Sequence, residues 1–394
     1  MYNESVYALG AVRSRIRDLF EFGLKRAAVV GAENILDYSL GNPRIPSPPE
    51  IDAAIHEILA TADPLSVHGY TPAGGAMDAR QAIAADLNAR YDAGVGAEDL
   101  FLTCGSAPGL AAIFRALMVP GAEVLAVAPY FPEYKPFVEE AGCTFKVVPP
   151  DIPEFQIRLD AVEAMLTPAT VAIILNSPNN PAGTVYTEQT LRELASLLTR
   201  KSGEFGHPIY IVSDEPYREL VYTDAAVPFI PLLYPNTLVC YSYSKSLSLP
   251  GERLGYVYVP KAAEDSAALY YAIAGASRAF GHVCAPVLWQ RVIARCAHLR
   301  PNLEEYNKNR ATLYQGLLDA GYEVARPDGA FYLFVKAPGG SSQEFSDRAK
   351  LRDLLVVPGD SFGCPEYFRA CYCVSYDTIL KSLPVFSALR KEYP

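Results

Sequence analysis

The chain has one tryptophan, Trp289, five histidines and no surplus of positive charge among its 394 residues. Lysine and arginine number 34 against 44 aspartates and glutamates, a formal net charge of −10. That balance excludes a broad nucleic-acid face or an anionic-membrane face. Anionic small molecules must instead be drawn in by local arginines. No apolar run reaches the ~18 residues that a bilayer-spanning helix needs. The N-terminal region, with Glu4, Arg13, Arg15 and Arg17, has no apolar signal core. Residues 11–30 carry apolar side chains at helical spacing, as a packed helix does, a membrane-surface helix being the alternative. His56, His68, His207, His282 and His298 share no ligand spacing, so no metal site is expected. There are eight cysteines and no Cys-x-x-Cys. Cys371 and Cys373 would share one face of a strand, which suits neither a relaxed disulfide nor a zinc knuckle. Buried free thiols in a reducing cytoplasm are the expectation.

What is abundant is apolar: half of the residues are hydrophobic, enough for a large core, and the length suits two or three domains. Apolar, β-branched runs predict strands at 101–103, 124–127, 144–148, 171–175, 209–213, 237–241 and 254–259. Helical patterns fall between several of them, at 110–118, 159–166 and 188–198. Alternating strands and helices imply a mostly parallel sheet covered on both faces. After 259 the pattern turns helical, then gives short strands at 331–335 and 371–375. We read residues 1–45 as an N-terminal arm that completes a small α+β domain, 46–285 as a large domain and 286–394 as the rest of the small one. There is no internal repeat or low-complexity tract.

The chemistry concentrates in three segments. Lys245 lies in Ser242-Tyr243-Ser244-Lys245-Ser246, with Arg253 eight positions on. A lysine amine can form a Schiff base to an aldehyde, and hydroxyls with a forked guanidinium suit a phosphate, as pyridoxal phosphate (PLP) requires. The alternative is a surface turn with a solvated lysine. Upstream, the apolar run Ile209-Tyr210-Ile211-Val212-Ser213 ends in Asp214, with Tyr217 three residues on. Carboxyl ends of strands in open α/β sheets are where ligands bind, and a carboxylate there can keep a pyridine nitrogen protonated. A helix N-cap is the other use for Asp214. Earlier still, Asn176-Ser177-Pro178-Asn179-Asn180-Pro181-Ala182-Gly183 reads as a tight connection that can aim the Asn180 amide at a ligand. Taken alone it is an ordinary turn.

In this order the three segments resemble the class I/II aminotransferases, the aspartate-aminotransferase-like group of fold-type I PLP enzymes. The resemblance extends through Leu40-Gly41-Asn42-Pro43, Tyr70-Thr71-Pro72-Ala73-Gly74-Gly75 with Arg80, and Thr103-Cys104-Gly105-Ser106-Ala107. Near the end it continues through Gly329-Ala330-Phe331-Tyr332, Pro358-Gly359-Asp360 and Arg369-Ala370-Cys371-Tyr372-Cys373. It implies an α/β large domain with a seven-stranded, mostly parallel sheet and a smaller α+β domain.

The resemblance also implies roles. Lys245 is the expected Schiff-base lysine and proton carrier. Asp214 is the expected pyridinium partner, with Tyr217 and Asn180 at the cofactor's phenolic oxygen. Gly105, Ser106, Ala107, Ser242, Ser244 and Arg253 are expected around the phosphate, where a helix N-terminus favours an anion. A plain strand-to-helix turn is the bland use for Gly105-Ser106. Phe131 is the expected stacking ring, with a core aromatic as its alternative. The aspartate-specific members usually place Trp here, and Trp289 lies far away. Gly41, Asn180 and Arg369 are expected on the substrate side, Arg369 gripping the α-carboxylate unless it is a surface arginine. Tyr70 is expected to reach the phosphate of a second subunit in a homodimer, unless it packs in its own turn, and the Asn180–Pro181 bond is expected to be cis.

The implied activity moves an amino group between an amino acid and a 2-oxo acid. A PLP lyase or cyclase of the same fold, as in the aminocyclopropane-carboxylate synthase-like branch, uses the same lysine, aspartate and arginine. A regulatory protein with an aminotransferase-like sensor domain would add a basic DNA-binding module, for which the acidic charge and the early Gly41 segment leave no place.

Overall fold

The computed structural model describes residues 1–11 and 15–394. The expected helix over 11–30 is found at Arg15–Val30, preceded by Glu4–Ala11, and residues 12–14 lie outside the description. The strands are β1 (Leu36–Asp37), β2 (Leu100–Thr103), β3 (Glu123–Val127), β4 (Thr144–Val148), β5 (Thr170–Asn176), β6 (Tyr210–Asp214), β7 (Thr237–Ser242), β8 (Gly255–Tyr258), β9 (Tyr332–Lys336), β10 (Leu354–Leu355), β11 (Val357–Pro358) and β12 (Tyr367–Cys371). Seven of them form one sheet in the order β2-β8-β7-β6-β5-β3-β4, in which only β8 runs against its neighbours.

Side chains alternate across this sheet, and the alternation builds two cores. Val124, Ala126, Ile174 and Val212 pack under the helices Ser106–Leu117 and Ser266–Ala279. Leu125, Val127, Ile173 and Ile211 pack under Glu188–Phe205 on the other face. That last helix shows why the sequence folds locally as it does. The Thr187 side chain accepts from the Thr190 N–H, Leu191, Leu194, Ala195 and Leu198 make a buried stripe, and Gly206 ends the helix at φ 76°. Truncating Leu198 to Ala would cost about 2–5 kcal/mol.

A second unit gathers around the antiparallel sheet β11-β12-β9, with β1 pairing in parallel with β10. The predicted strand at 371–375 is displaced: β12 ends at Cys371. Pairing with β9 runs from Tyr367 to Cys371, opposite Lys336 to Tyr332. The Cys-Tyr-Cys-Val alternation continues beyond the ladder, because the chain must turn there into the helix Tyr376–Arg390.

Candidate active site

The parallel strands deliver their carboxyl ends side by side. Asn176 closes β5 and Asp214 closes β6, and the two are partners in register. Ser242 closes β7 and faces Gly255 of β8, which on its other side faces Thr103 of β2. A Cβ at Gly255 would strike the Tyr241 carbonyl and crowd the Gly105 backbone, so the absent side chain lets the 105 turn lie close against β8. Gly105 itself has φ 93°, open to glycine, and a Cβ there would overlap the Arg253 guanidinium. The helix Ser106–Leu117 starts at this turn and aims its first N–H groups there.

These ends surround a cavity of about 290 Å³. Gly41, Ser106, Ala107, Phe131, Asn180, Asp214, Tyr217, Ser242, Ser244, Lys245, Arg253 and Arg369 all line it. Gly105 sits directly behind Arg253. Tyr70 does not line this cavity; it is 86% exposed.

Asp214 is a strand-end residue, and no helix is capped by it. Its Oδ2 accepts the Tyr134 hydroxyl at 2.6 Å, while its carbonyl accepts from the Asn176 amide at 2.8 Å. Its Oδ1 is buried without a hydrogen-bond partner among the described residues. Burial pushes the carboxyl up to about 7; the Tyr134 hydrogen bond opposes that and nearby Glu215 adds to it.

Lys245 donates to the Gly41 carbonyl at 2.6 Å and lies 5.6 Å from the Phe331 ring centre. Burial lowers its pKa; Arg369 and Arg253 add to this, and the nearby cysteines work against it. Arg369 is buried and not a surface residue. It donates to Asn180 Oδ1 at 3.0 Å and to the Ser39 carbonyl at 2.6 Å, and its Nε has no partner among the described residues. Engaging Oδ1 leaves the Asn180 Nδ2 group as the free donor. Tyr217 shares a hydrogen bond of 2.9 Å with Tyr332, and burial raises its phenol above the usual value. Gly41 is required because a Cβ would overlap the Tyr332 hydroxyl. Arg253 reaches the Pro250 carbonyl at 2.9 Å and, weakly, Ser244 Oγ at 3.4 Å. Phe131 meets Tyr134 edge to face, 5.6 Å between centres. The Asn180–Pro181 bond is cis, as expected.

Sequence reasoning gave no role to Tyr134 or Asn176. Tyr134 stands three residues past Phe131, at the start of the helix Tyr134–Glu140, a one-turn spacing that could have flagged it.

Residues 33–383 match the family model for aminotransferase class I and II. The chain belongs to that family. A probable aspartate/prephenate aminotransferase of Thermus aquaticus is 30% identical over 90% of this chain and 91% of its own length. A probable N-acetyl-LL-diaminopimelate aminotransferase of Bacillus subtilis is 29% identical over 89% and 88%. The crystal structure of an amino transferase from Eubacterium rectale superposes with a TM-score of 0.98 at 50% identity, covering 100% of this chain and 99% of that one. Aspartate aminotransferase from Thermus thermophilus, solved with maleate, gives 0.84 at 25% identity, covering 99% of both.

The aminotransferase depends on PLP, and the cavity suits that coenzyme. The unpartnered Asp214 Oδ1 is an acceptor for a pyridinium N–H. The glycine turn, the helix N-terminus and Arg253 form an anion cradle on the same wall. Among the described residues, no group of histidines, cysteines and carboxylates could hold a metal, and no helix is long and apolar enough to cross a membrane.

Proposed function

We propose that Lys245 carries the coenzyme covalently through Nζ and shuttles the proton at the substrate α-carbon. The observation that carries this reading is a pair of buried orphans. Among the described residues Asp214 Oδ1 has no donor and Arg369 Nε no acceptor, and both residues border the cavity that Lys245 lines. When bound, PLP supplies an electron sink for the carbanion left by proton removal. Asp214 would keep its pyridine nitrogen protonated, and Tyr217 and Asn180 would face its phenolic oxygen. Gly105, Ser106, Ala107, Ser242, Ser244 and Arg253 would hold the phosphate, and Phe131 would lie against the ring. Arg369, anchored by Asn180 and Ser39, would grip the α-carboxylate beside Gly41 with its planar fork and so fix the α-carbon near Nζ. The lowered pKa leaves more of the Lys245 amine neutral, the form that can attack an aldehyde or take up a proton.

The reaction moves an amino group from an amino acid to a 2-oxo acid. Borohydride reduction of the holoenzyme followed by peptide mapping tests the central role: coenzyme fixed on Lys245 supports it, and coenzyme fixed on another lysine refutes it. A two-step exchange tests the reaction direction. The coenzyme absorption should change with an amino donor and return with a 2-oxo acid once the donor is removed. Release of ammonia without that return would favour the eliminating alternative.

We further propose a homodimer with shared sites. Tyr70 is exposed in the single chain, and so are Leu65, Tyr271 and Val283. The segments that carry them meet: Gln290 bonds Thr71 at 3.2 Å, and a Cβ at Gly74 would touch Tyr270. An apolar face of this kind suits a second copy of the chain. Division into residues 1–45 with 286–394 and 46–285 draws support from the sheets, since the seven-stranded one lies in 46–285 and the two smaller ones lie outside it, while Val292, Ile293 and Cys296 of the helix Val287–Cys296 pack into the core of the large unit. Eight free cysteines support a reducing, cytoplasmic setting.

A further inference from the structure

Two thiols that none of these roles uses lie behind the substrate-side wall of the cavity. Cys371 is two positions beyond Arg369 on β12 and shares its face of the strand. A regular strand would keep Cys371 and Cys373 roughly 6–7 Å apart. The strand ends at Cys371, however, and the two Sγ atoms come within 2.9 Å of each other. Both are free thiols and both are buried. Cys373 Sγ lies 3.7 Å from the Leu40 carbonyl, one residue before Gly41, whose carbonyl holds Lys245. The pair is therefore wedged between the Gly41 turn and Arg369.

The two sulfurs differ in character. Burial raises the Cys371 thiol, but the hydrogen bond with Cys373 and the charges of Arg369 and Lys245 outweigh it, so Cys371 lies below the usual thiol value. Cys373 is pushed well above, by burial first and by Cys371 next. A sulfur that holds its proton less tightly beside one that holds it more tightly suits the pairing of an attacking thiol with a resolving thiol.

We propose that Cys371 and Cys373 are a redox modification site that small peroxides convert to a disulfide, loosening the enzyme's hold on its substrate. Neither cysteine lines the cavity and both are buried, which bars bulky disulfide reagents and leaves hydrogen peroxide, little larger than water, as the oxidant of suitable size. The Cys371 thiol gives up its proton as its sulfur attacks one peroxide oxygen, the O–O bond breaks, and the other oxygen leaves as hydroxide, which takes that proton and becomes water. Cys371 is then a sulfenic acid. The Cys373 sulfur attacks it, the S–O bond breaks, and the departing hydroxide takes the Cys373 proton as a second water. Two thiols lose two electrons in all, and one peroxide gains them. The bond draws the sulfurs to about 2.05 Å. That closure pulls on the face of β12 that carries Arg369, where misplacement by about 1 Å can cost on the order of 10²-fold in rate. The loss of grip rests on the role proposed for Arg369; disulfide formation does not.

The test treats holoenzyme with hydrogen peroxide, blocks remaining thiols and maps peptides by mass. The expected result is that the peptide with residues 371–373 loses two hydrogens before the other six cysteines react. KM for the amino donor should rise about tenfold or more, and dithiothreitol should reverse both changes. In Cys373→Ser the same peptide should gain oxygen instead of losing hydrogen. Mapping is read on the parent protein, so a poorly folding variant does not decide the matter. Earlier oxidation at another cysteine, or two alkylated sulfurs in this peptide at full inhibition, overturns the site. A disulfide formed with KM unchanged overturns its link to substrate binding, and with it the proposed role of Arg369 if Arg369→Lys also leaves KM unchanged.

Discussion

The Tyr134 hydroxyl lies 2.6 Å from Asp214 Oδ2 and leaves the other oxygen of that carboxylate, Oδ1, without a protein donor among the described residues. One oxygen is thereby fixed and the other can still accept a hydrogen bond.

Tyr134→Phe removes the fixing bond and keeps the ring. A hydrogen bond to a charged group contributes about 1.5–3 kcal/mol, so the donor half-reaction should slow roughly tenfold or more. Stopped-flow absorbance of the coenzyme measures this. A rate equal to the parent's would show that Tyr134 only packs.

The raised Asp214 carboxyl gives the coenzyme-free protein a pH signature. The group ionises near 4 in the unfolded chain and near 7 in the folded one. Between those values the folded state binds the extra proton, so stability falls as pH rises, by about 1.4 kcal/mol per unit from this group. It is fully present below pH 4 and lost above pH 7. Melting temperatures from pH 5 to 8 should decline more steeply for the parent than for Asp214→Asn, and PLP should flatten the parent's slope by supplying a cationic partner.

Arg369→Lys keeps the charge and loses the fork. It also strips donors from Asn180 Oδ1 and the Ser39 carbonyl. A loss of about 2–5 kcal/mol is expected, seen as a KM increase on the order of 10²-fold for amino donors. Coenzyme affinity, read by titration, should change little.

Tyr70 tests the shared site. Tyr70→Ala and Lys245→Ala subunits are each expected to be weak or inactive alone. Mixed dimers place both defects in one site and leave the other intact, so activity should return on mixing. Exchanged subunits with no recovery would place Tyr70 in its own chain's site.

Much of this was legible in the sequence because strands in a covered parallel sheet are continuous apolar runs, and their ends carry the polar residues that meet a ligand. Val171 to Asn176 and Ile209 to Asp214 are of that kind, and both ends fall at the cavity. The misplaced strand at 371–375 has the opposite cause: its alternation is real, but register with β9 stops the ladder at Cys371. Tyr134 escaped because its importance lies in a contact across 80 residues of chain. Local spacing carries no trace of such partners. The close sulfurs of Cys371 and Cys373 were hidden by the same strand reading.

The parallel pairing of β1 with β10 joins Leu36 to Leu354 and Asp37 to Leu355. The early strand waits for one made more than three hundred residues later. Gly41 follows β1 by four residues, so the wall it provides cannot be seated until the far end of the chain has emerged and docked. The cofactor-side wall, built from 100–258, needs no such delay. If the large unit folds as it emerges, the wall proposed for the coenzyme would form before the wall proposed for the substrate, and coenzyme captured early would template the closure that follows.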